Sequence, residues 1–195
     1  MKLKQVVVFC ASSPGHESIF MESARMVGEA LVSREINLVY GGGRVGLMGA
    51  IADSVMANYG EVYGVIPKFL NSKEIGHRDI TQLMEVDTMH ERKAKMNLLC
   101  DGVIALPGGF GTMEELFEML TWGQLGLHQK PIGLLNVDGF YDHLILFIEH
   151  MVKTGLLKKE NQQMLLFAND IHELIDKMEA YEAPAVPKWL NLEQS

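Results

Sequence analysis

Short runs of apolar, mostly β-branched residues alternate along this chain with longer stretches whose apolar residues recur every three or four positions. Residues 4–10 form the first such run and predict a strand. In residues 18–34, Phe20, Ala24, Val27 and Leu31 fall on one helical face. Residues 36–40 predict a second strand, 47–58 a helix behind a triple glycine, and 61–66 a third strand stopped by Pro67. Residues 68–78 are polar and read as an irregular loop, followed by an extended segment at 80–86. A helix at 88–100 opens on Thr88 and Glu91, which stand at capping-box spacing. Then come a strand at 102–106, a helix at 112–122, a strand at 131–137, a helix at 138–152 and a last helix at 172–181. Strands that are apolar throughout are buried on both faces, as in a parallel sheet between helices. With right-handed crossovers the prediction is an α/β fold: a doubly wound, mostly parallel, Rossmann-like three-layer single domain. It spans residues 1–182, with a tail at 183–195 that contains Pro184 and Pro187.

Composition narrows the partners. The chain has 195 residues, 48% of them apolar and 22% charged, the balance of an ordinary globular domain. Its net charge of −8 argues against a nucleic-acid partner, so any anion must be bound locally. No apolar run of about 18 residues exists to span a membrane, and the segment before Cys10 is too short for a secretory h-region. Cys10 and Cys100 lie in apolar surroundings and read as buried thiols. The expected compartment is the cytoplasm.

The stretch from 107 to 115, Pro-Gly-Gly-Phe-Gly-Thr-Met-Glu-Glu, carries the strongest chemical signal. It joins an apolar run to a helical pattern. Glycines let backbone approach a ligand closely, and a helix start points free N–H groups at an anion. The nest expected for a phosphate is built from Gly108, Gly109, Phe110, Gly111 and Thr112. The loop lacks the Lys-Ser/Thr ending of nucleoside triphosphatases. Glu115 sits within one turn of the nest, and Thr112-x-x-Glu115 also fits a capping box, so both readings stand. Gly41, Gly43 and Gly46 match G-x-G-x-x-G, but after the second strand, and Glu61 opens the third strand where a ribose-binding acid would end the second. The motif reads either as a tight turn with close helix packing or as an anion or ribose contact at Gly43. Ser12 and Ser13 follow the first strand, the expected neighbour of the strand at 102–106. Ser12 is a candidate donor to a ligand there, or one of a turn-forming pair before Pro14.

Arg92 is an independent clue. On a helix it shares a face with Met89, Met96 and Leu99, and it lies in the first turns, where the helix dipole disfavours a cation. Such a guanidinium calls for an anionic partner: a phosphate, Glu115, or both. The alternative is an arginine snorkelling over an apolar face. The histidines and cysteines show no metal spacing, and no G-x-S-x-G elbow appears.

The 107–115 motif matches the PGGxGTxxE signature of the LONELY GUY (LOG) family, often mislabelled as lysine decarboxylases. The resemblance runs over residues 6–181 and includes 41–43 with 46–49, 65–67, 89–96 and 121–126. Gly123 stands where alanine is commoner in the family. The resemblance implies a homodimer that hydrolyses the N-glycosidic bond of a nucleoside 5′-monophosphate, releasing a cytokinin or adenine and ribose 5-phosphate, with no cofactor. It implies catalytic roles for Arg92 and Glu115, and substrate contacts at Lys93, at Gly109, Phe110, Gly111, Thr112, Met113 and Glu114, and at Glu74. A non-catalytic carrier of a nucleotide or molybdopterin-type ligand on the same fold is the alternative.

Overall fold

The computed structural model describes residues 2–71 and 75–184. Strand β1 (Gln5–Phe9) leads to helix α1 (Ser18–Ser33), β2 (Asn37–Tyr40), α2 (Gly46–Ala57), β3 (Val62–Pro67) and the single turn α3 (Lys68–Asn71). Then follow β4 (Gln82–Val86), α4 (Met89–Leu99), β5 (Gly102–Ala105), α5 (Phe110–Gln124) and β6 (Ile132–Leu135). A 3₁₀ turn at Val137–Gly139 precedes α6 (Asp142–Lys153), α7 (Lys159–Gln162), β7 (Leu165–Ala168) and α8 (Ile171–Glu179). The seven strands form one sheet in the order β4-β3-β2-β1-β5-β6-β7, and every pairing is parallel.

Strand alternation sorts the core into two layers. Val6, Val8 and Cys10 face one side with Leu38, Tyr40, Ile104 and Leu106, under Val27 and Leu31 of α1, Ile51 and Val55 of α2, and Leu174 and Met178 of α8. Val7 and Phe9 face the other side with Val39, Val103 and Ala105, under Met96 of α4, Leu116 and Met119 of α5, and Ile148 of α6. This is the doubly wound architecture that the apolar runs predict.

The boundaries differ from the sequence expectation in places with identifiable causes. β7 is an addition to the expected strands: a four-residue edge strand with Leu166 and Phe167 partly open to solvent, so its pattern is short and mixed. The helix expected from 138 begins only at Asp142, because Asp138 and Gly139 both take positive φ. Asn136 ties this corner, accepting from the Tyr141 N–H and donating to Asp142, each at 2.8 Å. The loop expected at 68–78 contains the α3 turn and a bridge between Gly43 and Gly76. Glu74 and Pro187 lie outside the described residues. Among those described, no helix is long and apolar enough to cross a membrane.

The order reverses at β1, whose neighbours are β2 and β5, so the loops beyond these strands open a crevice. Hydrogen bonds fix its floor. The Ala11 N–H donates to the Pro107 carbonyl at 3.2 Å, and the Met48 N–H donates to the Ala11 carbonyl at 3.3 Å.

Candidate active site

The nest takes shape where β5 ends. Helix α5 starts at Phe110, two residues earlier than expected, with Gly109 as its N-cap. A glycine has no side chain to cap with, and the helix has no side-chain cap hydrogen bond. The first backbone bond closing this turn runs from the Met113 N–H to the Gly109 carbonyl. Among the described residues the N–H groups of Gly108 to Thr112 have no backbone acceptor. They are the orphan donors of a helix start, aimed into the crevice.

The three glycines of the loop have different reasons to be there. A Cβ on Gly108 would lie 2.1 Å from the Thr112 hydroxyl, so Gly108 lets Thr112 fold back over the loop. Thr112 is thus the third helical residue and buried, and the capping box with Glu115 does not form. At Gly109 and Gly111 an added Cβ would meet nothing within 4 Å. No neighbouring protein atom demands glycine at those two positions, so their bareness leaves the N–H groups uncovered for an incoming group. Gly111→Ala should therefore stabilise the fold by ~0.4–1 kcal/mol, since alanine is the better helix residue. The same methyl should raise KM for a phosphorylated substrate by about tenfold or more by pushing the anion off the nest. A thermal melt and steady-state kinetics on one preparation check both halves.

The second glycine loop carries the arginine. A Cβ on Gly41 would lie 2.1 Å from Nη2 of Arg92, so the guanidinium rests on bare backbone at the end of β2. Gly46 has φ of +61°, and its Cβ would lie 2.4 Å from the Ser12 carbonyl carbon. The G-x-G-x-x-G spacing thus makes an arginine seat and a close loop crossing. Gly43 sits between them, bridged to Gly76.

Arg92 and Glu115 meet across the crevice. Nη2 and Oε1 are 3.4 Å apart, with side chains only 12% and 10% exposed. That is longer than a charge-assisted hydrogen bond of about 2.7–2.9 Å, which leaves both groups open to further partners. Among the described residues Arg92 Nε is buried with no hydrogen-bond partner, and Nη1 reaches only the Met89 sulfur, at 3.9 Å. Burial pushes the Glu115 carboxyl above its ordinary range; Arg92 pulls it down but does not offset the burial. Beneath them Cys10 is held as a neutral thiol, raised by burial and then by the negative field of Glu115. It is no nucleophile.

The other candidate residues divide. Ser12 is exposed at the crevice, above the Gly46 crossing. Phe110 projects into solvent, 97% exposed, and only its N–H joins the nest. The Met113 side chain packs on the core layer under α5. Lys93 is nearly buried and bridges α4 to α5, with Nζ 2.5 Å from Glu114 and 2.9 Å from Glu118. Glu118 carries no loop motif; its signal was its place one turn beyond Glu114. Tyr141 carries no motif in the sequence either. Its hydroxyl donates to the Leu106 carbonyl at 2.6 Å and braces the strand end from which the nest springs.

An open parallel sheet, a bare helix start at its switch point and a buried ion pair beside it define a doubly wound α/β protein with a carboxylate next to uncapped helix N–H groups. The family model described as "Possible lysine decarboxylase" matches residues 48–178. The "Probable cytokinin riboside 5′-monophosphate phosphoribohydrolase LOGL1" of Oryza sativa subsp. japonica is 50% identical over 177 residues, 91% of this chain and 79% of that protein. The cytokinin riboside 5′-monophosphate phosphoribohydrolase LOG5 of Arabidopsis thaliana is 45% identical over 181 residues, 93% of this chain and 79% of that protein. The chain belongs to this family, the LOG family. Among solved structures, a molybdenum cofactor binding protein from Rippkaea orientalis superposes with a TM-score of 0.69 at 19% identity, covering 92% of this chain and 98% of that one. At that identity the likeness is one of fold alone.

Proposed function

We propose that this protein hydrolyses the N-glycosidic bond of adenosine 5′-monophosphate and its N6-modified forms, adding water to yield the free base and ribose 5-phosphate. The observation that carries the reading is the bare pair Gly109 and Gly111 next to the buried Arg92–Glu115 pair. The 5′-phosphate rests on the N–H groups of Gly108 to Thr112, with the α5 dipole and the Thr112 hydroxyl behind it. As the bond from sugar to base stretches, positive charge builds on the anomeric carbon. Glu115, ionised in a site of low polarity, stabilises that charge more than water would. Arg92 holds the carboxylate in place and gives its unsatisfied Nε–H to a ribose or phosphate oxygen. The same reading makes residues 1–182 one catalytic unit working in the cytoplasm. Incubating the protein with AMP and with its N6-prenylated form, and following base and ribose 5-phosphate by chromatography, tests it. Stoichiometric release over many turnovers is expected. Tight binding without release means a carrier.

The reading includes a homodimer. Leu98 on α4 is 82% exposed, and Phe110 and Phe117 lie on the outer side of α5. Burying three such side chains contributes several kcal/mol, at ~1.5–3 kcal/mol each, and a second copy is the occupant the family resemblance implies. Leu98→Glu with Phe117→Glu should halve the mass measured by analytical ultracentrifugation at micromolar protein. An unchanged mass places the interface elsewhere.

A further inference from the structure

The glycine loop that seats Arg92 is held from behind by a segment the mechanism has not used. Residues 75–77 run antiparallel to it. The Arg44 N–H donates to the Ile75 carbonyl at 3.0 Å, the His77 N–H donates to the Gly42 carbonyl at 2.8 Å, and Gly43 bridges Gly76. Gly42 takes φ of +74° and leads directly back to Gly41 under the guanidinium. These two backbone hydrogen bonds, which together make the Gly43–Gly76 bridge, hold little by themselves. What fixes the segment is the buried ring of His77. Its Nδ1 accepts from the Asp79 N–H at 3.3 Å. Its Nε2 lies 2.9 Å from Asp53 Oδ1 on α2, a distance that suits an N–H donating to the carboxylate. The ring thus clamps the 75–79 turn to α2 from both its nitrogens.

We propose that His77, clamped to Asp53, is a positioning residue of the active site: it holds the 41–44 loop where Gly41 can seat Arg92 against Glu115. It touches neither substrate nor Arg92 and acts through Gly42 and Gly41. The proposal rests on the hydrolase reading above, because its effect is read in turnover. The Asp53 carboxylate is largely exposed and among the described residues makes its hydrogen bond to His77 alone, so it can be altered with little harm to the core.

The test compares Asp53→Ala, Asp53→Asn, His77→Ala and the double alanine variant by steady-state kinetics on AMP, each with a thermal melt. Asp53→Ala should lower kcat by about tenfold while KM stays within about threefold, since the phosphate nest is untouched and only Arg92 is misplaced. Asp53→Asn keeps an acceptor for the Nε2 proton and should rescue kcat to within about twofold. The double variant should be no slower than the worse single one. Asp53→Ala at the wild-type kcat overturns the proposal, as does a kcat loss in the double variant equal to the product of the single losses. A lowered melting temperature with kcat unchanged also overturns it, for that marks a structural clamp only. Wild-type turnover in the same assay tests the hydrolase reading separately.

Discussion

Glu115→Gln should bind a nucleoside monophosphate as well as the wild type and turn it over at least ~10²-fold more slowly. Glutamine keeps the size and the hydrogen-bonding reach of the side chain and removes only the negative charge. If that charge works by stabilising an electron-poor anomeric carbon, the loss falls on the transition state and not on the bound substrate. It then appears in kcat and in kcat/KM alike, leaving KM near its original value. The pH profile carries the same signature. Burial raises the Glu115 carboxyl above the ordinary ~4.3 of a glutamate, with Arg92 opposing. The working form is the carboxylate, so activity is present above the raised value and lost as pH falls through it. The acid limb of the wild-type profile should stand above that of a solvent-exposed glutamate, and Glu115→Gln should lack it. Stopped assays across pH 4–8 with ionic strength held constant check this.

Gly41→Ala should be nearly as damaging, through one methyl group far from any expected bond to substrate. The added carbon would lie 2.1 Å from Arg92 Nη2, and the Met48 sulfur at 3.3 Å has a flexible side chain that can yield. Gly41 has no positive φ, so its backbone accepts alanine without strain. The fold should survive and the guanidinium should be displaced. A shift of about 1 Å in a group that orients the carboxylate costs ~10²-fold in turnover. Because both changes act through one side chain, Arg92→Ala combined with Gly41→Ala should be no worse than Arg92→Ala alone. Kinetics on the three variants, with a thermal melt to show that each is folded, decide it.

The sheet was legible because its central strands are apolar on both faces, a pattern that admits little else. β7 was not, because an edge strand with a half-exposed face loses that continuity. The nest was legible from its glycines, but not where its helix begins: Gly109 caps without a side chain, while Thr112, three residows on, imitates a cap. Arg92 stood out as a cation in the wrong place on a helix, and Glu115 was among its candidate partners. Their meeting is a tertiary fact, made when α4 and α5 both pack against β1. The role of Gly41 is of the same kind. A glycine required by the guanidinium of a residue 51 positions away leaves no local trace; only the folded contact reveals it. His77 and Asp53 likewise sit in unremarkable polar contexts and acquire meaning from their 2.9 Å separation.

A crystal structure of the protein with ribose 5-phosphate is the decisive measurement. The account predicts the phosphate within hydrogen-bonding distance of the Gly111 and Thr112 N–H groups, with the anomeric carbon turned toward the Glu115 carboxylate. A sugar phosphate bound away from the start of α5, or with its anomeric carbon facing away from Glu115, would contradict it.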